Sequence, residues 1–427
     1  MSIYRTPCMT DSQGYTLLLG SQERWKDRAV CAAMRSSTQP VYVMEPSRLN
    51  SSRSADGLIV GNPLDAASAI AALEEHERAT GHRPAAVIPL FEPAIEVGHA
   101  ISRHFGLGYL SDAAVMNVRS KFHMRRAFEQ ASLRVPQYVR MFGPQDAEKA
   151  AHLRFPVIVK PENLGGGLGV RLVHTAEDLP DALAWSSQAA QALLAYGMHT
   201  PSFVVEEYIE AVAEVSVEVL NAPDGSEVVG MTDKILSGPP HFVECAHRFP
   251  SRYIQDAAIQ DTARLACRAV GMDRGVAHVE IRVCPDGAPV VVEVNGRLPG
   301  GAIPELIESC TGRNLFELHC ASFVGTPSIE VARKPAIMRG SAAIVFLKAP
   351  EGCITQVNTS ALPDLPKPVI GLQVWARPGD VSGQGASNFE RHGAVELFWP
   401  NGTEPWTDDQ LIAFAQRLSR DVFCTDG

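Results

Sequence analysis

A chain of 427 residues exceeds what one hydrophobic core organises, so roughly two to four domains are expected. Its 45% hydrophobic and 20% charged residues exclude a largely disordered polymer. The formal net charge of −10, with no Lys/Arg-rich run, argues against a nucleic-acid partner but leaves room for a local basic pocket that takes a small anion.

Residues 15 to about 110 alternate strand and helix signals. Tyr15–Gly20 reads as a buried strand, and Glu23–Arg35 as a helix with Trp25, Ala29 and Ala32 on one side. Val41–Met44, Leu58–Val60 and Ala85–Leu90 are further strands, separated by helices over Asp65–Thr80 and Ile95–Phe105. Such alternation predicts a parallel α/β sheet. The first strand is not followed by G-x-G-x-x-G, so this Rossmann-like region is not a dinucleotide site. A helix carrying Lys121, Met124 and Arg125 follows, then the strand Pro156–Lys160, a glycine-rich loop and an alanine-rich helix over Leu179–Leu194. Residues 203 to 330 hold strands in hairpin arrangements and two helices. The last hundred residues are β-rich, with strands at Ala342–Leu347, Leu372–Ala376 and Ala394–Phe398. A final helix starts at Thr407, where T-x-x-Q to Gln410 forms a capping box, and Leu411, Phe414, Leu418 and Val422 give it one apolar face. No apolar stretch reaches the roughly 20 residues of a membrane span, and Met1–Asp11 lacks the apolar core of a signal peptide. The nine cysteines include no C-x-x-C pair, and Cys267 and Cys320 sit in apolar helical patterns as core filler. A cytoplasmic protein with neither membrane nor nucleic-acid partner is the expectation.

Two carboxylates carry the sharpest local inference. The strands Val276–Val283 and Pro289–Val294 flank Pro285-Asp286-Gly287, and Asp-Gly signals a two-residue hairpin. Pairing Cys284 with Pro289 sets Glu280 directly opposite Glu293. Like charges at that spacing repel, and burying them without a cation is costly. A divalent cation resolves the conflict, with Asn295 on the same face as a third oxygen donor, and hard ligands of this kind suit Mg²⁺. Alternatively one glutamate faces solvent or pairs with Arg282 or Arg297. The segment Lys160-Pro-Glu-Asn-Leu-Gly165-Gly-Gly-Leu-Gly169 brings free backbone N–H groups and a point charge to a phosphate, but lacks the G-K-[ST] ending of a P-loop. Phe203-Val-Val-Glu206-Glu207-Tyr208-Ile209, followed by Glu214, offers an extended segment for a purine edge and a carboxylate for ribose; an amphipathic edge strand reads equally well.

Taken in order over residues 117 to 330, these pieces resemble the ATP-grasp superfamily. The resemblance implies an ATP-grasp fold preceded by the N-terminal α/β domain (1–116), with a small lobe (117–205), a large lobe (206–330) and a β-rich closing subdomain (331–427). It implies that Lys121 and Lys160 hold ATP phosphates, that Gly165, Gly166, Gly167 and Gly169 fold over them as a lid, that Glu206, Glu207, Tyr208 and Ile209 meet adenine, and that Glu214 meets ribose. Glu280, Glu293 and Asn295 would hold Mg²⁺, or Mn²⁺ in its place, and Arg297 would stabilise the transferring phosphoryl group. Relatives often carry serine in the lid, whereas here Gly165–Gly169 contains only glycine and leucine.

Within the superfamily, Arg297-Leu-Pro-Gly-Gly-Ala-Ile-Pro-Glu305 lacks the Q-V-E-H of biotin-dependent carboxylases and resembles amino-acid ligases that make dipeptides. These also share a stretch like Lys234–Pro250. By that similarity Lys234, Glu244 and His247 would line the amino-acid pocket, and Gly300 and Gly301 would leave room beside the first substrate. The implied reaction activates one amino acid as an acyl phosphate and joins it to the α-amine of another, forming ADP. His247 either accepts a proton or only orients substrate. The competing readings are a ligase acting on a carrier-protein arm or an antibiotic-precursor amine, and a non-catalytic ATP-binding regulator. Similar enzymes are commonly homodimers.

Overall fold

The computed structural model describes residues 14–20, 25–47, 54–191, 202–325, 329–358 and 365–427. Met1–Asp11, Glu23 and the 192–194 end of the expected alanine-rich helix fall outside them. The chain divides into two compact units, one of residues 1–111 and 316–327, the other of residues 112–315 and 328–427.

The first unit runs β1 (Gly14–Leu19), α1 (Lys26–Ser36), β2 (Val41–Glu45), β3 (Gly57–Val60), α2 (Ala66–Thr80), β4 (Arg83–Pro89) and α3 (Ala94–Phe105). All strand pairs in its β3-β2-β1-β4 sheet are parallel, as the alternation of strand and helix signals predicts. Leu17, Leu18 and Leu19 are buried on both faces of β1, the pattern of a strand covered on both sides. Asp65 caps α2 by accepting from Ser68 N at 2.7 Å.

In the second unit, α4 (Asp112–Arg119) and α5 (Lys121–Gln130) lead into a small antiparallel sheet. Its strands are β5 (Tyr138–Met141), β6 (Val157–Pro161), β7 (Arg171–Val173) and β8 (Phe203–Glu207), ordered β5-β8-β6-β7, with α6 (Leu179–Gln191) packed on it through Leu179 and Leu183. Next come β9 (Ala213–Ala222), β10 (Gly225–Leu236), β11 (Glu244–Phe249), α7 (Ala257–Val270), β12 (Gly275–Val283), β13 (Pro289–Asn295) and α8 (Ile303–Thr311). After α9 (Leu315–Val324), which from residue 316 belongs to the first unit, come α10 (Ile329–Arg333), β14 (Gly340–Leu347), β15 (Gly352–Val357), β16 (Val369–Val374), β17 (Val381–Ser382), β18 (Gly393–Pro400), α11 (Asp408–Val422) and β19 (Phe423–Thr425). One eight-stranded antiparallel sheet, β13-β12-β9-β10-β11-β14-β18-β16, unites the large lobe with the β-rich C-terminal region. The capping box of α11 forms between Thr407 and Gln410, and Leu411, Phe414, Leu418 and Val422 bury against Val345, Val395 and Leu397.

The β12–β13 hairpin differs instructively from expectation. Its loop has three residues rather than two: Cys284 N donates to Ala288 O at 3.0 Å, Gly287 N donates to Cys284 O at 2.9 Å, and Gly287 takes the left-handed φ of 79° that closes such a loop. Val283, not Cys284, therefore faces Pro289. A bulge between Glu280 and Ile281 then adds one residue, Val292, on the opposing strand and restores the pairing of Glu280 with Glu293.

Candidate active site

Between the small sheet and the large one lies a cleft enclosing about 830 Å³ of space, part of it open to solvent. Lys121, Lys160, Gly165, Gly166, Gly167, Glu206, Glu207, Ile209, Glu214, Lys234, Glu244, Glu280 and Glu293 all line it. Strand β6 carries Lys160 in, and α5 begins with Lys121 because Ser120 caps it, accepting from His123 N at 3.1 Å. Lys121 Nζ donates to Leu164 O at 2.7 Å and meets Glu293 Oε2 at 3.0 Å. The Glu206 carboxylate is turned into the wall. It accepts from Arg125 Nε at 2.8 Å and Nη2 at 3.0 Å, and from Lys160 Nζ. Burial pushes the Glu206 carboxyl upward, but Arg125 and Lys160 outweigh it and hold it at about 2. The same burial, with Arg125 close by, lowers the Lys160 ammonium, which Glu206 only partly offsets. Two cations thus share one anion, a wall that gains from an added phosphate.

The large sheet supplies the opposite wall. Lys234 Nζ sits among Glu214 at 2.9 Å, Glu280 at 3.0 Å and Glu244 at 3.1 Å. Burial disfavours its charge, yet Glu280, Glu214 and Glu244 together raise it well above the ordinary lysine value. Arg282 Nε holds Glu214 at 3.0 Å, and its Nη1 donates to Ile209 O at 2.9 Å. Behind Glu280, His278 bridges it at 3.3 Å to the fully buried Glu218 at 2.9 Å. Burial opposes a charge on His278, but Glu218 and Glu280 prevail and raise it to about 9. Glu293 accepts from Asn295 Nδ2 at 2.8 Å, an orientation that leaves the Asn295 amide oxygen as an available donor. Among the described residues no three His, Cys, Asp or Glu side chains form a metal-holding group. Two opposed carboxylates and an amide oxygen do fit a hard divalent cation whose shell is completed by phosphate oxygens.

Behind Glu244 and outside the cleft lining, His247 is 2% exposed, on β11. Its Nδ1 lies 3.0 Å from Gly301 O, an atom that only accepts, so Nδ1 carries the hydrogen and Nε2 of the neutral ring keeps a lone pair. That Nε2 makes no hydrogen bond, although Glu244 Oε2 stands 3.3 Å away. Glu244 is anionic: burial pushes it up, but Lys234, with Arg391, holds it well below the usual range. Gly301, expected to leave room beside a substrate, packs against His247. At φ 59°, a Cβ there would lie 2.2 Å from His247 Cε1, so its smallness makes space for the imidazole. A Cβ on Gly300 would meet nothing within 4 Å.

Four other expected residues stand apart from the cleft lining. Gly169 accepts from Ser186 Oγ at 2.6 Å and packs against Pro161 inside the small lobe. The Tyr208 ring stacks on Phe242, with the Arg282 guanidinium 5.1 Å from both rings. Asn295 reaches the cleft through Glu293, and Arg297 Nη1 donates to Leu298 O at 2.9 Å. Sequence reasoning missed the roles of Arg125 and Arg282 and overlooked Asn388 and Arg391. Arg282 shares a strand face with Glu280 by simple alternation, so that signal was present. Asn388 N donates to Gly166 O at 3.1 Å and its Oδ1 accepts from Glu244 N at 3.1 Å, which ties the glycine loop to the far end of the cleft. No local pattern announces such a contact.

Residues 153–305 match the ATP-grasp domain family. A D-alanine–D-alanine ligase of Gloeobacter violaceus is 30% identical over 210 residues, 46% of this chain and 63% of that protein. Dapdiamide A synthase of Enterobacter agglomerans is 24% identical over 288 residues, 64% of each chain. The chain thus spans less than two thirds of either relative. The crystal structure of an L-amino acid ligase from Bacillus licheniformis superposes with a TM-score of 0.76 at 18% identity, covering 98% of this chain and all of that one. The family match is confined to residues 153–305, while the fold is shared with that ligase along nearly the whole chain.

Proposed function

We propose that the chain is an ADP-forming, ATP-dependent ligase that joins the carboxylate of one amino acid to the α-amine of another. The observation that carries this reading is the convergence, in one cleft, of the Lys121/Lys160 wall, the opposed Glu280/Glu293 pair and Glu244, with His247 3.3 Å behind Glu244. The ligase and synthase names of the two relatives support it. Lys121, Lys160 and the backbone of Gly165–Gly167 bind the ATP phosphates, and Ile209 and Glu214 lie along the nucleoside. Glu280, Glu293 and Asn295 would hold Mg²⁺, which supplies charge neutralisation on the phosphates.

A donor carboxylate oxygen attacks the γ-phosphorus and breaks its bond to the β,γ-bridging oxygen, giving an acyl phosphate and ADP. The fixed fork of Arg297 is assigned to the transferring group. The acceptor amine then attacks the carbonyl carbon, the new C–N bond forms, and the C–O bond to phosphate breaks. Its surplus proton passes to His247 Nε2, with Glu244 stabilising the imidazolium. The reading is tested by phosphate release from MgATP, screened over single amino acids and pairs, with product mass recorded. Release that depends on amino acids and yields a dipeptide mass supports it, and bound ATP without turnover for any pair refutes it. Full turnover by His247→Gln at saturating substrate would remove the base assignment alone.

A further inference from the structure

A second cavity of about 830 Å³ adjoins the cleft, and the two share His241 and Glu244 in their walls. Its apolar lining comes from Pro239, Pro240, Val243 and Phe346. Most of its charges are already consumed. Lys348 Nζ donates to Gly383 O at 2.7 Å, and to Ser382 Oγ and Ala349 O at 3.4 Å. The two carboxylate oxygens of Glu390 accept from Gly385 N and Ala386 N at 2.8 Å.

Arg391 differs. Its guanidinium lies on the Phe346 face, 3.5 Å from the ring centroid, and Nη2 alone makes hydrogen bonds among the described residues, to Glu244 Oε2 at 2.7 Å and Glu244 O at 3.1 Å. Nε is buried without a partner, and Nη1 makes no hydrogen bond among the described residues. A guanidinium fixed on a ring, with Nη1 still uncommitted, can donate one charge-assisted hydrogen bond to an anion. Beside it stands Glu244, an anion facing both cavities. Cation, anion and apolar wall in one concavity are the complement of a zwitterion with an apolar side chain.

Resting on the ligase reading above, we propose that this cavity binds the acceptor, an α-amino acid with an apolar side chain, whose carboxylate meets Arg391 and whose ammonium meets Glu244. The amine then stands at the junction with the cleft, next to His247, and the side chain lies against Val243 and Phe346. Arg391 sets specificity: it selects acceptors that carry a free α-carboxylate.

The test compares kcat/KM for an apolar amino-acid acceptor and for its α-amide, in wild type, Arg391→Met and Arg391→Lys, with folding checked by circular dichroism. Wild type should prefer the free acid, and Arg391→Met should lower that preference about 10- to 100-fold, the range set by one charge-assisted hydrogen bond. Arg391→Lys, keeping the charge without the fork, should fall between them. Equal losses for acid and amide in Arg391→Met would overturn the proposal and leave Arg391 as a support for Glu244. Absence of amino-acid-dependent phosphate release by wild type would sink the ligase reading and this assignment with it.

Discussion

Replacing Glu206 by Gln keeps its shape but leaves Arg125 and Lys160 as two cations with no shared anion, in a wall where Glu206 is 2% exposed. Removing one member of a buried ionic cluster costs about 3–5 kcal/mol. An independent route gives a similar size. A carboxyl moved from its ordinary 4.5 to about 2 contributes about 3 kcal/mol, at about 1.4 kcal/mol per pKa unit. We therefore expect Glu206→Gln to lose about 3 kcal/mol in urea unfolding at pH 7. The sign with pH follows from the depressed folded-state value: the contribution is complete above the unfolded-state pKa and is lost as pH falls through the folded one. The gap between wild type and variant should thus narrow steadily from pH 4.5 towards pH 2. ATP should narrow it at pH 7 as well, because phosphate replaces the missing anion. A loss under about 1 kcal/mol at pH 7, or a gap unchanged on acidification, would refute the two-cation, one-anion account.

Gly301→Ala should displace His247, since φ 59° and a 2.2 Å approach leave no place for Cβ, while Gly300→Ala should behave like wild type. Turnover and melting temperature of the two variants check the contrast. Glu280→Gln and Glu293→Gln should each raise the Mg²⁺ concentration for half-maximal turnover at least about 10-fold, and chelation should abolish turnover reversibly. Thr407→Ala removes the hydroxyl that caps α11 and should cost about 1 kcal/mol in unfolding, with no change in the KM for ATP.

Much of the fold was legible because its signals are local. Alternation of buried strands with amphipathic helices gave the parallel sheet, and T-x-x-Q gave the start of α11. The Glu280–Glu293 pair was reached through a partly wrong path. Counting from a two-residue turn placed Cys284 opposite Pro289, whereas the observed loop is one residue longer, and the bulge at Val292 cancels that error before it reaches the glutamates. Turn type and bulge position depend on packing along both strands, so a pattern in either strand cannot supply them. Lys121, Lys160 and Glu214 were found as chemical types at suggestive intervals. Their pairings were not, since Lys160 and Glu206 lie 46 positions apart and Glu214 and Arg282 lie 68 apart. The packing of Gly301 against the His247 imidazole joins positions 54 apart, which no local pattern signals.

The unbroken eight-stranded sheet has a bearing on how this protein can be cut or recombined. His247 lies on β11, and the other edge of β11 is paired by β14 from Ala246–Val345 to Phe249–Ala342. Truncation before β14 would bare a row of backbone donors and acceptors on the strand that carries the proposed base, an edge prone to adhere to other chains. The family match ends at residue 305, well before that point, yet the smallest transplantable piece of this chain includes the strands of its C-terminal region. Shuffling at the boundary suggested by the motifs alone would exchange chemistry for aggregation.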